Sequence, residues 1–246
     1  MPESNSPFLS IVIPAYNEER RLPRTLRAID KYLKQQNYNY EIIVVNDGSR
    51  DKTEGILLSL KPQISSLKVI NNKINRGKGS VVKQGMLASR GRYRLFTDAD
   101  NSTPISEVEK ILFWLEKGYD VVIGSRDVKG SVLDPPQPFL RRLLGCFFRL
   151  FRKIVLDIWE VRDTQCGFKG FSKRAADDIF SRLETKGFLF DVEVLLLAKK
   201  LGYKIKETGI YWKNDMESKV TLRSAIEMGV GLFKLKEKLG RKGLLL

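Results

Sequence analysis

The sequence predicts an α/β fold built on a mostly parallel sheet with helices on both faces. Three observations point there. Short runs rich in β-branched residues alternate with amphipathic stretches through the first half of the chain. The apolar runs are near-continuous, as Ile42, Ile43, Val44 and Val45 show, which suits strands buried on both faces. Hydrophobic residues make up 42% of the 246, enough for a sizeable core, which excludes a disordered or low-complexity chain. The length fits one domain, and no repeat or linker divides residues 1–246.

Strands are expected at residues 9–13, 41–45, 67–70, 93–97 and 120–123, each a short apolar run. Amphipathic stretches at 18–36, 52–60, 78–89 and 106–117 are the intervening helices. After Gly124 a Gly/Pro/Asp-rich loop runs to about Pro138, followed by a long helical stretch over 139–158. Further strand-like pieces lie at 168–171 and 203–212, helices at 173–182 and 192–201, and a last helix at 222–239. Ligands of parallel sheets bind at the carboxyl ends of the strands, so the residues after each run carry the functional expectations.

Charge and missing residue types narrow the chemistry. Lys and Arg number 44 against 29 Asp and Glu, a net charge of +15, which asks for an anionic partner: nucleic acid, membrane or phosphorylated substrate. The chain has no His, so Ser-His and Cys-His pairs and His-ligated metals are excluded. Cys146 and Cys166 are too few for a disulfide framework or a zinc site. Any metal must be held by oxygen, which points to Mg2+ or Mn2+. Residues 1–8 do not read as a signal peptide, and no apolar run approaches the ~20 residues of a spanning helix. The expected location is therefore cytosolic, or on the surface of something.

The strand ends hold the candidate residues. The first is followed by Pro14, Ala15, Tyr16, Asn17 and Glu18, with no Gly-rich dinucleotide fingerprint. The second is followed by Asn46, Asp47 and Gly48; Asp47 is a turn residue or an acceptor for the N–H of a base such as uracil. Arg76-Gly77-Lys78-Gly79-Ser80 lacks the spacing of an ATPase phosphate loop. Alone it reads as a turn opening a helix; functionally, it would bring Lys78 and helix N-terminal amides to an anion. The fourth strand ends in Asp98-Ala99-Asp100, whose two carboxylates share one side of an extended segment. Such close like charges repel unless a cation lies between them, so Asp98 and Asp100 are read as ligands of a divalent metal. The fifth is followed by Ser125 and Arg126, a guanidinium at the same edge that can face a phosphate.

Taken together, the chain resembles a family-2 glycosyltransferase of the GT-A fold. The matching segments are Ser10-Ile-Val-Ile-Pro-Ala-Tyr-Asn-Glu18, Val45-Asn-Asp-Gly-Ser49, Asn75-Arg-Gly-Lys-Gly79, Thr97-Asp-Ala-Asp100, Gly124-Ser-Arg126, Asp163-Thr-Gln-Cys-Gly-Phe-Lys169 and Phe190-Asp-Val-Glu193. They span roughly residues 8 to 219, and their order is more telling than any one of them. The stretch from Asp163 to Lys169 is most similar to the dolichyl-phosphate β-glucosyltransferase branch, with the dolichyl-phosphate mannosyltransferases next.

The resemblance implies inverting transfer of one hexose from a nucleotide sugar, UDP-glucose or else GDP-mannose, to a polyprenyl phosphate. It implies a nucleotide-sugar half over residues 8–126, an acceptor half over 127–219 and an amphipathic helix over 220–246. Pro14, Ala15, Tyr16, Glu18 and Asp47 would hold base and ribose, with Lys78 among the nucleotide-sugar contacts. Asp98 and Asp100 would bind metal and diphosphate. Arg126 and one of Arg141 or Arg142 would face the donor or acceptor phosphate, and Asp163 and Lys169 would lie in the acceptor half, with Lys169 among the contacts to the acceptor phosphate. Two features depart from neighbouring branches. Ser102 stands where mannosyltransferases carry Gln, which leaves a third protein ligand open, and the Gln-x-x-Arg-Trp of chain-growing relatives is absent.

A phosphate acceptor suits a chain without histidine. A phosphate monoester has a second pKa of about 6 and attacks without a general base. A soluble hydroxyl acceptor would need one, with Asp163, Asp191 and Glu193 as candidates.

The helix over 139–158 places Leu140, Leu143, Leu144, Phe147, Phe151, Ile154 and Val155 on one face, with Arg142, Arg149 and Lys153 nearly opposite. It suits either a membrane interface or a core-packed helix with a solvated basic face. The last helix repeats the pattern and ends in Leu244, Leu245 and Leu246, offering a contact to lipid, a membrane partner subunit or a second copy. A peripheral location follows: the cytosolic face of the endoplasmic reticulum in a eukaryote, or of the plasma membrane in a prokaryote. A nucleic-acid-binding module is disfavoured, because no RNP-type motif or zinc finger accompanies the charge.

Overall fold

The computed structural model describes residues 6–135, 160–213, 231–232, 236–237 and 240. The order is β1 (Leu9–Ala15), α1 (Leu22–Leu33), β2 (Tyr40–Asp47), α2 (Thr53–Leu60), β3 (Leu67–Asn72), α3 (Lys78–Ala88) and β4 (Tyr93–Thr97). A 3-10 turn (Ile105–Glu107) then leads into α4 (Val108–Glu116), β5 (Val121–Ser125) and β6 (Val132–Asp134). After residues 136–159 come β7 (Phe168–Ser172), α5 (Lys173–Arg182), α6 (Phe190–Lys200), β8 (Ile205–Gly209) and β9 (Tyr211–Lys213).

Seven strands form one sheet in the order β3-β2-β1-β4-β7-β5-β8. All its pairings are parallel except those of β7, which is antiparallel to both β4 and β5. The chain winds outward from β1 to β3, then returns to the other side of β1 as β4. This reversal makes the crevice above β1 and β4 the natural ligand site. A second, two-stranded parallel sheet pairs β6 with β9.

The strand side chains split by the period-2 rule into two cores. Ile43 and Val45 of β2 pack with Val12, Phe96, α3, α5 and α6 on one face. Ile42 and Val44 pack with Ile11, Ile13, α1, α2 and α4 on the other. Both faces are thus covered, which is why β2 reads as an unbroken apolar run.

The stretch at 203–212 is not one strand. It divides into β8 and β9 at Ile210, whose fully buried side chain turns into the core shared with α1, α2 and α4. The expected helix over 139–158 lies outside the described residues, as does most of the helix at 222–239. Within the latter, Gly231, Leu232, Lys236 and Glu237 are helical, and Leu232 is buried against the core that holds α5 and α6. Among the described residues no helix is long and apolar enough to cross a membrane.

Candidate active site

The loops after β1, β2, β3 and β4 are tied together at the carboxyl edge of the sheet. Asn17, with φ 54°, turns the chain after β1; Asn101, with φ 57°, does the same after β4. Asn is among the few residues that tolerate this left-handed conformation. The Asn17 and Glu18 amides donate to Ser49 Oγ and Thr53 Oγ1 at 3.0 and 2.8 Å, joining the first two loops. Thr25 Oγ1 donates to the Ala99 carbonyl at 2.7 Å, tying α1 to the aspartate loop. Glu18 is held by Arg21 through two bonds of 2.6 and 2.5 Å. Tyr16 is 38% exposed and lies open beside it.

Asp47 closes β2, and its side chain is buried. Its two oxygens accept the backbone N–H groups of Arg76 and Gly77 at 2.7 and 2.9 Å. It therefore fixes the loop that delivers Lys78. That loop owes its two glycines to geometry. Gly77 has φ 90°, and a Cβ there would lie 2.6 Å from the Lys186 carbonyl oxygen. A Cβ on Gly79 would lie 2.2 Å from that of Thr185. The amides of Gly79 and Ser80 both donate to the Lys186 carbonyl, at 2.7 and 3.4 Å. The Gly79 and Ser80 amides are thus already satisfied by a carbonyl, which favours the plain helix-opening turn for them, and the cation at this helix start is the Lys78 side chain.

Lys78 Nζ contacts Asp98 Oδ1 at 2.6 Å. Burial pushes this ammonium down, but Asp98, Asp191 and Asp100 outweigh it and hold the pKa above its ordinary value. Asp100 accepts the Ser102 amide at 2.9 Å. Burial and then the neighbouring Asp98 charge raise its carboxyl. Gly167 lies flush against Asp98: the three atoms nearest an added Cβ all belong to that side chain, at 2.1 to 2.8 Å.

A second layer of ion pairs supports the first. Lys169, fully buried in β7, donates to the Cys166 carbonyl at 2.5 Å and to Asp191. Burial pushes Asp191 up, and Lys169 and Lys78 offset this only in part. Arg126 grips Asp163 with Nε and Nη2 at 2.7 and 2.8 Å, and its guanidinium lies 4.8 Å from the Trp212 ring centre. The Asp163 amide donates to Glu207 at 2.9 Å. Burial raises the Asp163 carboxyl, but Arg126 overrides it and brings it down to about 2. Glu193 accepts the amides of Glu184 and Thr185 at 3.0 and 2.7 Å.

Several expectations change in consequence. Lys169 is an internal counter-ion of Asp191, with no exposed surface for an acceptor phosphate. Arg126 spends one edge of its guanidinium on Asp163. None of the three carboxylates weighed as a general base stands ready to take a proton: Asp163 is too acidic, while Asp191 and Glu193 are buried and bonded elsewhere. Arg141 and Arg142 lie outside the described residues. Gly167 was missed as a site residue, although it falls inside the motif from Asp163 to Lys169.

The donor set fits a hard divalent cation. Among the described residues no cluster of three or more His, Cys, Asp or Glu stands together, so the protein offers the Asp98 and Asp100 carboxylates. Mg2+ commonly binds through one or two carboxylates and completes its shell with water and substrate phosphates. Burial raises the Asp100 carboxyl first and the Asp98 charge second, and that second contribution is a repulsion such an ion relieves.

Comparison with known proteins points to one family. Residues 10–180 match the model of glycosyl transferase family 2. The dolichyl-phosphate beta-glucosyltransferase of Dictyostelium discoideum is 38% identical over 242 residues, covering 93% of this chain and 74% of that protein. The Homo sapiens protein of the same name is 35% identical over 248 residues, covering 94% and 75%. Among solved structures, glucosyl-3-phosphoglycerate synthase from Mycobacterium tuberculosis, crystallised with Mn2+, UDP and phosphoglyceric acid, superposes with a TM-score of 0.67. It is 18% identical, covering 94% of this chain and 78% of that one. A mannosyltransferase from Pyrobaculum calidifontis, in complex with GDP-Man and Mn2+, superposes at 0.64 with 15% identity over 95% of this chain and 65% of its own. The distant structures establish the GT-A architecture, the family model and the closer relatives establish the lineage, and this chain belongs to glycosyl transferase family 2.

Proposed function

We propose that this chain transfers a single glucose from UDP-glucose to dolichyl phosphate, or a similar polyprenyl phosphate, with inversion at the anomeric carbon. One observation carries the choice of acceptor: Asp163, Asp191 and Glu193 are all committed to internal partners. A hydroxyl acceptor needs a base, whereas a phosphate monoester is already mostly ionised at neutral pH. The acceptor oxygen forms the new bond to the anomeric carbon as the bond to the diphosphate breaks, UDP leaves with the electron pair, and no proton has to move.

Residues 8–126 are the donor half, with Pro14, Ala15, Tyr16, Glu18 and Asp47 around the base and ribose. Residues 127–219 receive the acceptor. Asp98 and Asp100 hold the metal, Mg2+ or Mn2+, which stabilises the charge of the leaving diphosphate. Lys78 adds a second positive charge at the same point, already positioned by its contact with Asp98. Arg126, fixed in place by Asp163, supplies a positive charge for the acceptor phosphate. The chain works as a peripheral protein at the cytosolic face of a membrane.

Labelled transfer to a short polyprenyl phosphate tests this, with UDP-glucose and GDP-mannose compared in Mg2+ and in chelator. Metal-dependent glycolipid from UDP-glucose is expected. Glycolipid from GDP-mannose alone would reassign the donor, and none from either, with donor still bound, would overturn the lipid acceptor.

A further inference from the structure

The two most exposed large hydrophobic residues of the described chain are Ile74 and Phe188, at 68% and 64%. They are 114 positions apart in sequence, yet the loops that carry them touch. Ile74 belongs to the β3–α3 loop, residues 73–77, and Phe188 to the α5–α6 loop, residues 183–189. The Gly79 amide donates to the Lys186 carbonyl at 2.7 Å, and Gly77 packs on that same carbonyl. From these contacts we infer that the two loops form one lipid-contact surface, which seats the chain on an anionic bilayer beside the donor site. This inference rests on the proposed lipid acceptor.

Both loops are held from behind by buried carboxylates. Asp47 accepts the amides of Arg76 and Gly77, and Glu193 those of Glu184 and Thr185. The apolar tips are thus presented on fixed backbone, which reduces the ordering cost of insertion. Isolated exposed apolar residues are ordinary, but two on contacting loops at the ligand edge of the sheet are not scattered. Another exposed aromatic, Phe113, differs: Lys117 lies over its ring at 4.2 Å.

The surrounding charge selects the partner. Lys73, Arg76 and Lys186 are exposed beside the tips. From Lys73 to Lys83 there is no acidic residue, and between Leu183 and Leu189 the one acid is Glu184. Apolar tips ringed by cations match the boundary between acyl chains and anionic headgroups. The β3–α3 loop leads directly into Lys78, so docking there sets the Asp98 site at headgroup depth, where the phosphate of a lipid acceptor lies.

Ile74→Ser/Phe188→Ser in the full chain tests the surface, since neither side chain is assigned to donor, metal or acceptor. Co-sedimentation with phosphatidylcholine vesicles, with and without phosphatidylserine, is read against transfer to a short, water-soluble polyprenyl phosphate. The expected result is at least tenfold weaker binding to phosphatidylserine vesicles, with transfer to the soluble acceptor kept. Wild-type binding should fall as salt rises. Unchanged vesicle binding by the double variant would overturn the surface. So would loss of self-association in place of vesicle binding, which would assign the patch to a second copy. If the wild type binds vesicles through this patch but glucosylates no polyprenyl phosphate, the acceptor assignment fails and the surface stands.

Discussion

Replacing Gly167 with Ala should disable transfer without unfolding the chain. The added Cβ would lie 2.1 Å from Oδ2 of Asp98, 2.5 Å from its carboxyl carbon and 2.8 Å from Oδ1. Ordinary contact begins at 3.4 Å, so the carboxylate must retreat by roughly 1.3 Å. Misplacing a catalytic group by about 1 Å costs about 100-fold in rate. The expected loss in kcat/KM is therefore about 100-fold, or about 2.7 kcal/mol of transition-state stabilisation. The backbone accepts the change, because Gly167 is not among the positive-φ glycines. The clash falls on one short side chain that is 26% exposed, so it strains the site and not the core. The assay is initial-rate transfer to a short polyprenyl phosphate, beside a thermal melt. Gly55→Ala is the matched control: its Cβ meets nothing within 4 Å in α2, and it should gain up to about 1 kcal/mol of stability with full activity. Gly167→Ala with transfer within threefold of wild type would refute the placement of Asp98 in the reaction.

Asp100→Ala should abolish Mg2+-dependent transfer while the melt is unchanged; normal turnover in chelator would remove the metal assignment. Asp163 is held at about 2 against an unperturbed 3.8. Because the folded-state value is the lower one, its stabilisation is complete above pH ~4 and lost as pH falls through about 2, amounting to about 2 kcal/mol. Denaturant titrations of Asp163→Asn should lose that pH dependence, and a curve parallel to wild type would contradict the pairing. Lys169→Met leaves Asp191 buried without its counter-ion and should cost about 3–5 kcal/mol, read as a lower denaturation midpoint. Adding Asp191→Leu should recover part of that stability but none of the activity, since Asp191 also acts on Lys78.

The parallel half of the fold was legible because burial on both faces writes an unbroken apolar run, as at Ile42 to Val45. The position of Asp98 and Asp100 followed from the strand before them. The antiparallel β7 was not legible as such. A short strand holding Lys169 and Gly170 shows no direction, and its insertion between β4 and β5 is set by tertiary pairing. The resemblance alone puts Lys169 toward the acceptor phosphate; its partner Asp191 is 22 residues away, and sequence alone does not mark the two as a pair. Arg126 and Asp163 are likewise joined across 37 residues. Gly77 and Gly79 read as a turn opening a helix, and the structure adds why both are glycine: they admit the carbonyls of Lys186 and Thr185. In each case sequence showed the residue and its strand end, and long-range packing decided its partner.

In the proposed reaction the nucleophile is a lipid phosphate that needs no protein base. The most direct test offers UDP-glucose with Mg2+ to a short polyprenyl phosphate, the matching polyprenol and 3-phosphoglycerate in one competition. Glucose is expected on the polyprenyl phosphate alone, because only that acceptor supplies both an ionised nucleophile and an isoprenoid chain. Glucosylation of the polyprenol would require a base that Asp163, Asp191 and Glu193 do not provide, and transfer to phosphoglycerate would replace the lipid with a soluble acceptor; either result would overturn the lipid phosphate as nucleophile.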